Sequence, residues 1–198
     1  MLTKSLSTAG EQLIDFDGRT HRFFAPYAGS PVIRALDLFS KLGDQPELRV
    51  IAGGLILAGI FGRNDRLLRA GARMIIAHEA ATLAKDSIKF NIDRTRPRSA
   101  NGRKAKKPKK GNHTAKEKTS FPSGHSAGAI AAARAFSREF PEYGTAAMAK
   151  AGLLAAAQVP RCAHYPTDVA AGITIGLAAE ALISAAWDAA EMDARSRA

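Results

Sequence analysis

The sequence predicts an all-α fold, a single bundle of about six helices. Three observations carry that expectation. Alanine and leucine dominate while clusters of β-branched residues are scarce, which favours helix over strand. Apolar residues recur at helical spacing, in stretches separated by Pro, Gly and Asn breaks. The length, 198 residues, suits one domain with a sizeable buried core, and no internal repeat interrupts it.

The elements follow in order. Residues 1–28 lack a charged, then apolar, then small-residue pattern, so no cleavable signal peptide is expected, and no helix is assigned there. Pro31 to Leu42 reads as a helix, with Val32, Ile33, Leu36, Leu38 and Phe39 largely on one side. Gln45-Pro46 opens the next, Leu48 to Phe61, nearly all apolar between Arg49 and Arg63. A third starts near Asn64-Asp65 and continues through Met74, Leu83 and Ile88 until Pro97 stops it. Asn101 to Lys118, rich in Gly, Lys and Pro, reads as a loop. Helices follow over Ser123 to Phe136 and over Glu142 to Gln158. Thr167 caps a last one reaching about Met192. In it Gly172 and Gly176, four apart, suit close helix–helix contact. One domain, 1–198, carries a basic loop at about 99–118.

Charge is localised. Arg94 to Lys118 holds eleven Lys or Arg against Glu117, a net of +10 in a chain of +11. The Arg103–Lys110 run has three readings: gathering anionic lipid or substrate, binding nucleic acid, or a solvated loop. No aromatic interleaving supports base stacking, so nucleic acid is not an expected partner. One cysteine, Cys162, excludes an intramolecular disulfide framework and reads as a packed small residue.

Four short stretches point to one anion. They are Lys89 with Arg96-Pro97 seven residues on, Phe121-Pro122-Ser123-Gly124-His125, Arg161, and His164-Tyr165-Pro166-Thr167-Asp168. A phosphate needs guanidinium and ammonium donors, plus N–H groups aimed at its oxygens. Breaking its ester needs a nucleophile and a proton donor. Lys89 and Arg96, two turns apart, share a helix face; Arg94 and Arg98 are rivals to Arg96. Pro122-Ser123-Gly124-His125 puts free amides where a helix begins, and alone would also read as an ordinary Ser cap. A spacing of four lets Asp168 accept from one ring nitrogen of His164 if the turn is helical. His125, His164 and Asp168 are conceivable metal ligands, but the cations around them argue against a metal, and no cofactor is expected.

These blocks resemble the type 2 phosphatidic-acid phosphatase superfamily, which also includes bacterial acid phosphatases and vanadium haloperoxidases. Its pattern is Lys, six residues, Arg-Pro; then Pro-Ser-Gly-His; then Ser-Arg, five residues, His, three residues, Asp. Lys89 to Pro97 and Pro122 to His125 match in full, and His164 and Asp168 keep their spacing. The Ser-Arg pair falls on Ala157-Gln158, which leaves Arg161 as the nearby arginine. The resemblance implies a metal-independent phosphatase. In it His164 is the nucleophile that forms a phosphohistidine, Asp168 its orienter and His125 the acid for the leaving oxygen. Lys89, Arg96, Ser123 and Gly124 hold the phosphate, with Arg161 expected to replace the missing arginine.

Lipid-phosphatase relatives also imply a phosphorylated lipid substrate, phosphatidic acid or a polyprenyl diphosphate, and a bundle embedded in the cell membrane. Composition pulls the other way: Val50–Gly62 gives 13 uncharged positions, and Val169–Trp187 is broken by Glu180. A soluble acid phosphatase, or a basic anion-binding protein with a degenerate pocket, stands as the alternative. Oligomeric state has no signature.

Overall fold

A computed structural model describes residues 2–100 and 105–197. Seven α-helices make up the described fold: α1 Leu2–Phe24, α2 Pro31–Ser40, α3 Gln45–Phe61, α4 Asp65–Lys89, α5 Gly124–Glu139, α6 Pro141–Ala156 and α7 Pro166–Ser196. Two-residue strands, β1 Ile92–Asp93 and β2 Lys109–Lys110, form one antiparallel ladder.

The all-α expectation holds, with two corrections. First, an unanticipated helix, α1, brings the number from about six to seven. Its buried positions are Asp17, Gly18 and His21, whereas Leu13, Phe16 and Phe23 face outward. Apolar residues do recur at helical spacing along it, but Leu13, Phe16 and Phe23 of that stripe lie on the outward face, so the period does not mark the docked one. Second, the helix expected to run to Pro97 ends at Lys89, capped by Phe90. The chain turns there into β1, and the Asp93 carboxylate pins the returning basic segment. It accepts from the His113 amide at 3.0 Å and is paired with the His113 ring. The basic loop thus contains a strand and a short 3₁₀ turn at Lys116–Lys118. Arg103 and Lys104 of the basic run lie outside the described residues.

Helix α5 is central, flanked by α4, α6 and α7. Its run Ser126–Ala132, with Ala135, is buried. The main core is built largely of alanine: Ala52, Ala77, Ala81, Ala127, Ala131, Ala132, Ala135 and Ala179, with Leu48 and Met74. Small side chains bring helix backbones close. A Cβ on Gly172 would stand 2.4 Å from the Ser123 carbonyl oxygen, and one on Gly176 2.5 Å from that of Ala127, so α7 lies directly on the start of α5. The last helix is capped at Tyr165 rather than Thr167, because Pro166 takes the first helical position.

Charges inside the bundle are paired. Arg73 is buried between Glu139 and Asp188, under the Trp187 ring, and fully buried Glu180 receives Arg134 and Arg138. Of the described helices, α7 is long and apolar enough to cross a membrane, and a third of its most apolar window (33%) is buried.

Candidate active site

The C-terminus of α4, the N-termini of α3 and α5, and the turn before α7 converge on one cleft of about 340 Å³. Gly43 to Glu47, Lys85, Lys89, Arg96, Gly124, His125 and His164 line it. Five of the eight residues expected in the site, Lys89, Arg96, Gly124, His125 and His164, therefore share one cavity.

His164 reaches its place because the α6–α7 turn is fastened to Gln158, whose carbonyl accepts from the Ala163 and His164 amides. The side chain is buried. Its Nδ1–H donates to the Ser120 carbonyl at 2.7 Å, since a carbonyl can only accept. In the neutral ring this leaves the lone pair on Nε2, which accepts from Arg96 Nη1 at 3.3 Å. Burial lowers the His164 pKa to about 4; Arg96 and Lys89 push the same way, and Asp168 opposes them only in part. The ring is thus neutral at physiological pH.

Asp168 does not make the expected direct hydrogen bond. Its Oδ2 is 3.7 Å from His164 Nδ1, beyond hydrogen-bond length, because Ser120 stands between them. Ser120 accepts from His164 through its carbonyl and donates to Asp168 through its hydroxyl. Asp168 also accepts from the Tyr165 amide at 2.9 Å and from Arg94 at 2.5 Å. Arg94 is the buried partner of Asp168, and burial works against its charge. Asp168 and Asp17 outweigh that and hold its pKa above the ordinary arginine value. Of the three neighbouring arginines Arg94, Arg96 and Arg98, Arg96 lines the cleft.

The Arg96 guanidinium is oriented by backbone carbonyls, with Nε to Lys116 at 2.7 Å and Nη1 to Ala163 at 3.3 Å. Burial, then Arg98, lowers its pKa to about 10. Burial, then Lys85 and Arg96, brings Lys89 to about 8. Cations held together at such cost create a strong demand for an anion. The start of α5 adds backbone N–H groups at Gly124.

Two expected ligands stand elsewhere. Ser123 is fully buried beneath the cleft, where its Oγ caps α5 by accepting from the Ser126 amide and hydroxyl. Arg161 lies outside the lining. Asp37 holds its Nε and Nη2, and Ser40 and Gln158 hold Nη1. Gln158 cannot replace a guanidinium either, being buried and bonded to Ser40 and Leu154.

Sequence reasoning missed Lys85, Asp44 and Glu47. Lys85 had a signal, because it lies one turn before Lys89 and so on the same helix face. Its stem crosses the start of α5, with Cδ 3.2 Å from where a Gly124 Cβ would be. Asp44 had none: it sits far from His125 in sequence, yet its carboxylate pairs with His125 Nε2. Burial lowers the His125 pKa below 6.5, with Asp44 opposing and Arg161 reinforcing. His125 pairs with Asp44, whereas His164 and Asp168 share Ser120 as a partner.

Residues 67–191 match the family model of the PAP2 superfamily. The chain belongs to the PAP2 superfamily. No curated protein and no solved structure matches it. PAP2 membership assigns it to phosphatases acting on phosphate esters. The matched region contains every lining residue of the cleft except Gly43 to Glu47, so the PAP2 segment supplies the cationic wall and both histidines.

Proposed function

We propose that this protein is a metal-independent phosphatase for lipid phosphates or diphosphates, working through a phosphohistidine at His164. The observation that carries it is a buried, neutral His164 on the wall of a cationic cleft, its Nε2 accepting from Arg96 and its other nitrogen committed to Ser120. Lys85, Lys89, Arg96 and the α5 amides receive the phosphoryl oxygens. As Arg96 Nη1–H turns from Nε2 to a phosphoryl oxygen, Nε2 attacks phosphorus, the P–O bond breaks, and His125 gives its proton to the departing oxygen. Positive charge develops on the His164 ring in that step. Asp168, 3.7 Å away, stabilises it across the gap. In the second step His125 takes a proton from water, which attacks phosphorus and releases phosphate and neutral His164.

A lipid fits because exposed apolar residues flank the lining stretch Gly43 to Glu47 in sequence. Leu42 precedes Gly43, and Val50 and Ile51 stand one turn beyond Glu47. A specific observation favours a soluble acid phosphatase as the second reading: Arg73 and Glu180 make their ion pairs within helices that a bilayer would surround.

The test is phosphate release from phosphatidic acid, a polyprenyl diphosphate and p-nitrophenyl phosphate in excess EDTA, by the parent chain and His164→Ala. Turnover that survives EDTA and falls to background in the mutant is expected. Abolition by EDTA would end the metal-free mechanism, and release from the soluble ester alone would select the second reading.

A further inference from the structure

We propose that Asp17, on α1, is a positioning residue for this reaction. It completes an Asp17–Arg94–Asp168 bridge that fixes the turn carrying His164. The proposal rests on the phosphohistidine mechanism, and α1 lies outside the segment that matches the family.

The docked face of α1 is what first points to it. A helix attached for apolar burial turns its leucines and phenylalanines inward. Here Leu13 and Phe16 are about half exposed, at 54% and 49%, while Asp17 is fully buried. Every oxygen of that carboxylate is used. Oδ1 accepts from the Thr167 amide at 3.1 Å, one of the donors left open in the first turn of α7. Oδ2 accepts from the Thr167 hydroxyl at 2.6 Å and from Arg94 Nη2 at 2.5 Å.

Arg94 is the shared member. Its Nη1 donates to Asp168 at 2.5 Å and to Thr167 Oγ1 at 2.7 Å, and its Nε to the Lys106 carbonyl at 3.1 Å. The Tyr165 ring covers the guanidinium, 4.3 Å from Cζ. A buried guanidinium with one arm unmatched draws its remaining carboxylate towards it. That carboxylate is Asp168, which receives the hydroxyl of the same Ser120 whose carbonyl holds His164. Asp17 does not line the cleft, so its effect on catalysis passes through Arg94 and Asp168.

The experiment compares Asp17→Asn, Asp168→Asn and the double variant in the full-length chain, with p-nitrophenyl phosphate as substrate. We expect Asp17→Asn to lower kcat roughly 10- to 100-fold with KM within about threefold. In the Asp168→Asn background the same change costs less than about twofold, because the bridge is already broken. The imidazole NMR signals of His164 are expected to move in Asp17→Asn. Unchanged kcat, a loss that simply adds to that of Asp168→Asn, or an unmoved His164 signal would each overturn the proposal. If Asp17→Asn does not fold, Thr167→Val carries the same comparisons, with a smaller loss expected. A parent chain inactive on every ester would sink the phosphatase mechanism, and the bridge would then stand or fall on the His164 signals alone.

Discussion

Burial decides the protonation state of His164 before any substrate arrives, and the pH dependence follows from it. With its pKa lowered to about 4, the ring keeps the lone pair that the proposed mechanism needs above that value and loses it below. His125 works in the opposite sense. In the proposed mechanism it carries a proton to the leaving oxygen, and burial puts its pKa below 6.5. The acid limb then lies near 4 and the alkaline limb falls below the ordinary histidine value, so kcat/KM is expected to be bell-shaped with an acidic optimum. Lys89, near 8, weakens anion binding further up the scale. The check is a pH series on p-nitrophenyl phosphate with the parent and His125→Ala. The variant is expected to be about 10² to 10⁴ slower and to lose the first alkaline fall, keeping one near 8. Comparing the two cancels the titration of the substrate. An identical alkaline limb in both would remove His125 from the role of acid.

At the scale of elements, the site depends on how closely α7 lies on α5. Gly172 meets the Ser123 carbonyl, so a side chain there would push away the turn that delivers Gly124 and His125. Gly172→Ala is expected to cost about 1–3 kcal/mol through overpacking, lowering Tm by several degrees and reducing activity with it. Gly53, inside α3 with nothing near its missing Cβ, is the control. Gly53→Ala is expected to gain about 0.5–1 kcal/mol from helix propensity and leave activity alone. Thermal melts and activity of both variants check the contrast; equal behaviour would show that the contact does not govern the site. The same elements show what a sequence can reveal. Helices α2 to α7 were legible because each buries an apolar face or is bounded by Pro or Asn. The cationic wall was legible because Lys89 and Arg96 share one local segment. Asp44, Asp17 and the bond from His164 to Ser120 were not, since each joins residues far apart in sequence without any periodic trace. The pairing of Arg161 with Asp37 was hidden for a related reason, since the two lie far apart in sequence.

Two features of the whole molecule bear on where it meets its substrate. Nearly all the net charge, +10 of +11, lies between Arg94 and Lys118, and the described lysines of that segment are exposed. Leu42, Val50 and Ile51, by contrast, are exposed apolar residues that flank the lining stretch Gly43 to Glu47 in sequence. These respond oppositely to salt. Attraction of basic residues to an anionic surface is worth about 1 kcal/mol each and is screened as the Debye length falls from about 10 Å at 0.1 M to about 3 Å at 1 M. Apolar contact is not screened. Co-sedimentation with vesicles containing anionic lipid should therefore decrease between those concentrations yet persist at the higher one. The persisting fraction should be lost in Leu42→Ser/Val50→Ser. Complete release of the parent at high salt would assign attachment to the basic loop alone. Failure to sediment at low salt would remove the membrane from the proposal and leave a soluble phosphatase whose exposed apolar residues serve the substrate itself.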